Sequence, residues 1–327
     1  MSSLPNREKL VGVDDSAPVV PSEFRTAMAK MYDYLEANKL QWGAPDLLSV
    51  GSVVSGLVNP SIAMMSPSYL VVGGEDGSDW GIARYSRTVD GWSLIGRTNI
   101  PDLLGSVLVQ LESNGTEDVV ILDAAGRLRL VRRNGGSWDL VGSVSDVIAV
   151  FGSDYSIARL SGNQVVVCDG SNMHICKFWL GVWSVVVSLP LVAGASSVAV
   201  LDSNLIAVAG TGSITAYMFD GVDAIALGGT RAVAGLANVA MSALNGSDVV
   251  MVDRDANTIK IFRYDGEWQE NGGDFEIVGL DMGISGSNVA MLGGSDIAVI
   301  CGAEQKLRTY RLGFGVGKSL WPEHFRV

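Results

Sequence analysis

The sequence predicts an all-β fold: a six-bladed β-propeller with four-stranded blades, preceded by an extended arm and one short N-terminal α-helix. Three observations carry this expectation. One four-strand pattern recurs six times. A turn aromatic marks the period, with Trp92, Trp138, Trp183 and Trp268 following at intervals of 46, 45 and 85 residues, the last being two units. Four-stranded propeller blades repeat on that scale. Finally, the 327 residues include 40 Gly but only 9 Pro, and only 18% are charged. Such a composition suits many short strands joined by tight turns better than it suits helices.

In chain order, residues 1–20 mix charge, proline and small side chains without a period and read as an extended arm. Residues 22–40 read as one helix. Ser22 is a suitable N-cap, Glu23 favours the first turn, and Ala27 to Lys39 is a run of good helix formers. Phe24, Met28, Met31 and Leu35 follow a 4-3-4 spacing that places them on one coiled-coil-like seam, widened by Tyr32. Two heptads are too short to hold together unaided. The seam is therefore an assembly face, packed either on the propeller or another kind of subunit, or on a copy of itself. The expected division is an arm and attachment helix over 1–44 and a propeller over 45–327.

Each propeller unit begins with a short apolar strand, as in SIAMM at 61, YSIARL at 155 and NVAML at 288. A second apolar strand follows, as in DVVILD at 118, QVVVCD at 164 and DVVMVD at 248. The third strand alternates basic, aromatic and apolar residues, as in RLRLVRR, HICKFWL and TIKIFRY. After a turn such as DGW, GSW or GVW comes a fourth strand. Inner strands buried on both faces run continuously apolar, and outer strands with one wet face alternate. The sixth unit lacks a fourth strand after KLRTYRL. Asp46 to Val53 (DLLSVGSV) matches Asp139 to Val144 (DLVGSV), so the segment ahead of the first blade is expected to complete the last one. Such closure removes free sheet edges.

Little here reads as chemistry, and no catalytic, cofactor or metal residues are assigned. The formal net charge of −12 disfavours nucleic acid. No apolar run is long enough to span a bilayer, and Met1 to Glu8 is not an export signal, so a soluble chain is expected. Cys168 and Cys176 flank a turn and are placed to face each other across a hairpin, or simply to fill adjacent strands as small apolar residues. His174 and His324 are the two histidines, and neither neighbours a nucleophile-elbow motif. Gly73 to Trp80 (GGEDGSDW) reads as an acidic loop between strands, with some likeness to the aspartate box of sialidase-like propellers. Asp253 to Asn257 offers oxygens at alternate positions, as in the calcium cages of integrin-type propellers, but lacks the glycine and the closing acid. It reads as a hairpin turn.

The stretch from Ala17 to Asn38 (APVVPSEFRTAMAKMYDYLEAN) resembles the N-termini of bacteriophage tail-fibre and spike subunits. The turns from Tyr217 to Gly221 and from Tyr264 to Trp268 are similar to those of propellers in phage and bacterial surface proteins. The resemblance implies a non-catalytic virion subunit. It would be attached to other virion proteins through residues 1–44 and present a propeller face to a host-surface carbohydrate or protein, with homo-oligomer formation a further option. The alternative is a non-viral propeller acting as a lectin or protein–protein interaction platform.

Overall fold

The computed structural model describes residues 46–47, 52–53, 58–66, 68–76, 79–88, 91–100, 108–112, 118–123, 125–146, 155–191, 195–234, 236, 238–271, 275–276, 288–293, 296–301 and 306–311. The arm, the 22–40 helix with Phe24, Met28, Met31 and Leu35, and His324 all lie outside the described residues.

The described strands form six antiparallel sheets in chain order. Strands β1 (Asp46–Leu47) and β2 (Ser52–Val53) come first. Blade 1 holds β3–β6: Val58–Ser66, Tyr69–Asp76, Asp79–Thr88 and Gly91–Ile100. Blade 2 holds β7–β10: Leu108–Glu112, Asp118–Leu122, Arg127–Asn134 and Ser137–Asp146. Blade 3 holds β11–β14: Ser156–Ser161, Gln164–Cys168, Asn172–Trp179 and Val182–Pro190. Blade 4 holds β15–β18: Ala195–Asp202, Leu205–Gly210, Ser213–Phe219 and Ala224–Ala232. Blade 5 holds β19–β23: Val239–Ala243, Asp248–Asp253, Thr258–Tyr264 and an outer strand in two pieces, Trp268–Glu270 and Phe275–Glu276. Blade 6 supplies β24–β26: Asn288–Gly293, Asp296–Cys301 and Lys306–Arg311.

The ring closes as the internal sequence match implies. β1 pairs with β26 through Asp46↔Arg311 and Leu47↔Tyr310, and β2 pairs with it through Ser52↔Leu307 and Val53↔Lys306. The innermost strand of blade 6 packs beside that of blade 1. A buried Trp92 Nε1–H donates to Thr309 Oγ1 at 2.8 Å across this seam, and Arg87 pairs with Asp296 there at 2.8 Å.

Each seam between blades is an apolar cluster, and alternate residues of one strand serve opposite seams. Ile157 packs toward blade 2 with Val120 and Trp183, whereas Ala158 packs toward blade 4 with Val198 and Ile206. Both faces are consumed, which is why the inner two strands are apolar throughout rather than alternating. Each fully buried aliphatic there stabilises by about 1.5–3 kcal/mol relative to exposure. The turn tryptophans have a shared reason. Each stands at or near the start of its blade's outer strand and wedges back onto the preceding blade: Trp138 onto blade 1, Trp183 onto blade 2, Trp268 onto blade 4 and Trp92 onto blade 6. Ala224 joins the corresponding cluster between blades 3 and 4.

One expectation is corrected, and one pair of alternatives is decided in favour of two small apolar residues in adjacent strands. Gly73 to Trp80 is mostly strand: Gly74↔Gly81, Glu75↔Trp80 and Asp76↔Asp79 are paired, and Trp80 is buried against blade 2. Cys168 and Cys176 do not face each other. Their hairpin register pairs Cys168 with Met173 and Cys176 with Val165, and the two thiols enter different seams.

Candidate binding surface

The turn between second and third strands begins at a buried aspartate in three blades, and each is committed locally. Asp123 Oδ1 accepts from the N–H groups of Ala125 and Arg127. Asp169 Oδ1 accepts from Ser171 and Asn172, and Asp253 Oδ1 from Asp255 and Ala256. The Asp253 carboxylate thus caps its own hairpin. Among the described residues no group of three or more His, Cys, Asp and Glu side chains is arranged to hold a metal ion.

Blade 3 brings together residues that spacing alone did not. His174 Nε2 lies 2.9 Å from Asp169 Oδ2, and His174 Nδ1 lies 2.8 Å from Ser188 Oγ. Burial works to raise the Asp169 pKa, but hydrogen bonds from His174 and from the Ser171 and Asn172 amides outweigh it and hold the carboxyl below its ordinary value. The chain of contacts is wired opposite to a hydrolytic triad, in which the carboxylate orients Nδ1 and the serine meets Nε2. Its place in the repeat gives it a different reading. His174 pairs with Val167, two residues before Asp169. Arg129 and Lys260 hold the same position in blades 2 and 5, opposite Ile121 and Met251, two residues before Asp123 and Asp253. Arg129 reaches Asp123 at 3.7 Å. The histidine therefore stands at the register position where blades 2 and 5 place a cation, which in blade 2 reaches the turn aspartate. Only the register of the hairpin reveals this, because Ser188 is 14 residues from His174.

At the centre of the ring lies a cavity of about 250 Å³ lined by the innermost strands. Three of its polar side chains serve the strands themselves. Ser156 Oγ accepts the Val198 N–H at 2.7 Å, Ser242 Oγ accepts the Met291 N–H at 3.2 Å, and Arg159 Nε donates to the Ser161 carbonyl at 3.2 Å. These hydroxyls stitch one inner strand to the next, and aliphatic and methionine side chains fill much of the remaining wall.

The outer rim of blade 3 differs in kind. The turn joining β13 and β14 is Leu180-Gly181, flanked by Trp179 and Val182, where other blades use Gly135-Gly136, Asp220-Gly221-Val222-Asp223 or Asp265-Gly266-Glu267. Leu180 is 87% exposed and Trp179 62% exposed. Leu180 also has φ 51°, a left-handed conformation that costs a residue with a Cβ on the order of 1 kcal/mol. Val182, Val185 and Val186 continue the apolar surface along β14. A register shift leaves Val186 as an extra residue between Val185, opposite Cys176, and Val187, opposite Ile175. This bulge turns two consecutive valines outward. The tip is held rigidly: Ser143 N–H donates to the Gly181 carbonyl at 2.7 Å, and Trp183 N–H donates to Ser145 Oγ at 2.9 Å. Blade 2 thereby sets Val144 beside this tip.

No protein-family model matches the sequence, and no curated protein matches it. Solved structures do. The β-propeller domain of Cps50 (Swd1) from Myceliophteria thermophila aligns with TM-score 0.50 and 13% identity, over 77% of this chain and 82% of that one. The periplasmic gluconolactonase PpgL of Pseudomonas aeruginosa aligns with TM-score 0.56 and 14% identity, over 80% and 83%. A protein from Lactobacillus plantarum aligns with TM-score 0.53 and 13% identity, over 80% and 83%.

The fold is a β-propeller. Identity this low speaks to the fold alone.

Proposed function

We propose that this propeller is a non-catalytic protein-interaction platform whose contact surface is the outer rim of blade 3. The observation that carries this is the exposed Trp179-Leu180 tip. A strained backbone presents a bare leucine beside an exposed tryptophan; the blade 4 turn also exposes a valine, Val222, but sets it between Asp220 and Asp223. Exposed aliphatic side chains offer a sugar's hydroxyls no hydrogen bonds, so a protein partner suits this rim better than carbohydrate. Trp is also among the residue types enriched at the anchoring positions of protein contacts. The solved structures named above share the propeller fold, and none of them is named as a virion appendage. The attachment role resting on Phe24, Met28, Met31 and Leu35 receives no support from these comparisons.

A photo-crosslinking amino acid at position 180, introduced into the full chain in its source cells, tests the reading. A discrete protein adduct is expected there and not from the same group at Asn134 on the polar turn of blade 2. Equal or absent adducts at the two positions would remove the rim from consideration.

A further inference from the structure

We propose that the partner seated on the blade 3 rim is a second copy of this chain, packed across a two-fold axis passing near Val186. The inference rests on the platform reading above and names its partner.

Charge is the first argument. The chain carries 35 acidic and 23 basic residues, yet none falls between Phe178 and Leu201. Every other blade has a charged residue on its outer strand: Arg97 in β6, Asp139 and Asp146 in β10, Arg231 in β18, Glu270 and Glu276 in β22 and β23, and Asp46 in β1. Charges on outer strands are a common protection against edge-to-edge association. β14 has none. A two-fold contact sets the same patch against itself, so any charge near the axis meets its like. A net charge of −12 on each copy adds repulsion everywhere else. The uncharged stretch is the place where two such copies can approach without a like-charge penalty. A strongly basic partner, by contrast, would find no carboxylate here to meet.

Geometry decides how the copies meet. Val186 is the middle residue of Val182–Pro190 and is also the extra residue of the bulge. A bulge interrupts the ladder and keeps a strand edge from extending into a continuous sheet. The contact is therefore side chain on side chain. Val185 and Val186 of one copy pack on the same pair of the other, with Trp179, Leu180 and Val182 on each flank. The hydrogen bonds from Ser143 and to Ser145 preorganise this surface, so little order is lost on pairing.

The test is sedimentation of the full chain from about 0.1 to 100 μM. A reversible monomer–dimer equilibrium is expected. Leu180→Asn supplies a residue that tolerates the left-handed turn, so folding is preserved while the apolar tip is lost; the dimer should weaken at least tenfold. Val186→Lys and Val186→Glu should each be monomeric alone, and an equimolar mixture of the two should recover the dimer. A wild-type monomer throughout this range overturns the proposal, as do single variants that remain dimeric or a mixture that fails to recover. If the position 180 crosslinker then captures a different protein, the platform reading stands without self-association. If it captures nothing, both fail.

Discussion

Trp92 Nε1–H donates to Thr309 Oγ1 at 2.8 Å, joining residues 217 positions apart across the seam where the ring closes. At two other seams the equivalent tryptophans, Trp183 and Trp268, pack among apolar side chains such as Leu130 and Ala216. Their indole N–H groups reach no acceptor among the described residues. The closing seam therefore uses its tryptophan's indole N–H, whereas the other two are bonded across their seams through backbone atoms, the Trp183 N–H to Ser145 Oγ and the Trp268 carbonyl accepting from Arg231.

Replacing Thr309 with valine keeps the shape and removes that acceptor, at an expected cost of about 1–3 kcal/mol. Thr309→Ser should retain most of the stability. Urea unfolding of the two variants makes the comparison, and equal midpoints for the Thr309→Val variant and the wild-type chain would show that the bond contributes nothing.

At Gly142 the backbones of blades 2 and 3 approach closely. A Cβ added there would overlap the Gly181 carbonyl oxygen, and its φ of +77° already disfavours any other residue. Gly142→Ala should destabilise by several times the amount of Gly96→Ala, since a Cβ at Gly96 meets nothing within 4 Å. Thermal unfolding of both variants would register the difference, and similar shifts in Tm would contradict it.

Acid should act through Asp169. Its carboxyl is held below the ordinary range against burial, chiefly by His174 and the Ser171 and Asn172 amides. A depressed folded value means the stabilisation is complete above the unfolded pKa of about 3.9 and is lost as pH falls through the lower folded value. Asp169→Asn should therefore be less stable than wild type at pH 7, with the gap narrowing below about pH 4. Stability measured by urea between these limits decides it; a constant gap would exclude Asp169 from the acid limb.

Burial pushes the Cys168 and Cys176 thiols up to about 12 each. Thiolate is the reactive form, so both should resist a maleimide at pH 8 in the folded protein and react fully in denaturant. Site-resolved mass spectrometry reads this directly. Rapid native labelling of either would mean that the seams around blade 3 open on the labelling timescale.

The sequence alone determined the blade count and the closure of the ring. Apolar runs, turn glycines and the Asp46 to Val53 match are local or internally repeated, and a strand buried on both faces announces itself by being continuously apolar. Tertiary structure decided what depends on register. Cys168 and Cys176 separate because pairing is counted from the turn, and a shift of one residue sends a side chain to the other face. The same counting brings Ser188 and Asp169 onto the two nitrogens of His174. The tryptophans that mark the period were legible as markers, but their role as wedges needed the neighbouring blade in place. An uncharged run from Phe178 to Leu201 is visible in one dimension; that part of it faces solvent follows from blade 3's outer strand lying at the rim and from the bulge at Val186, which no local composition records.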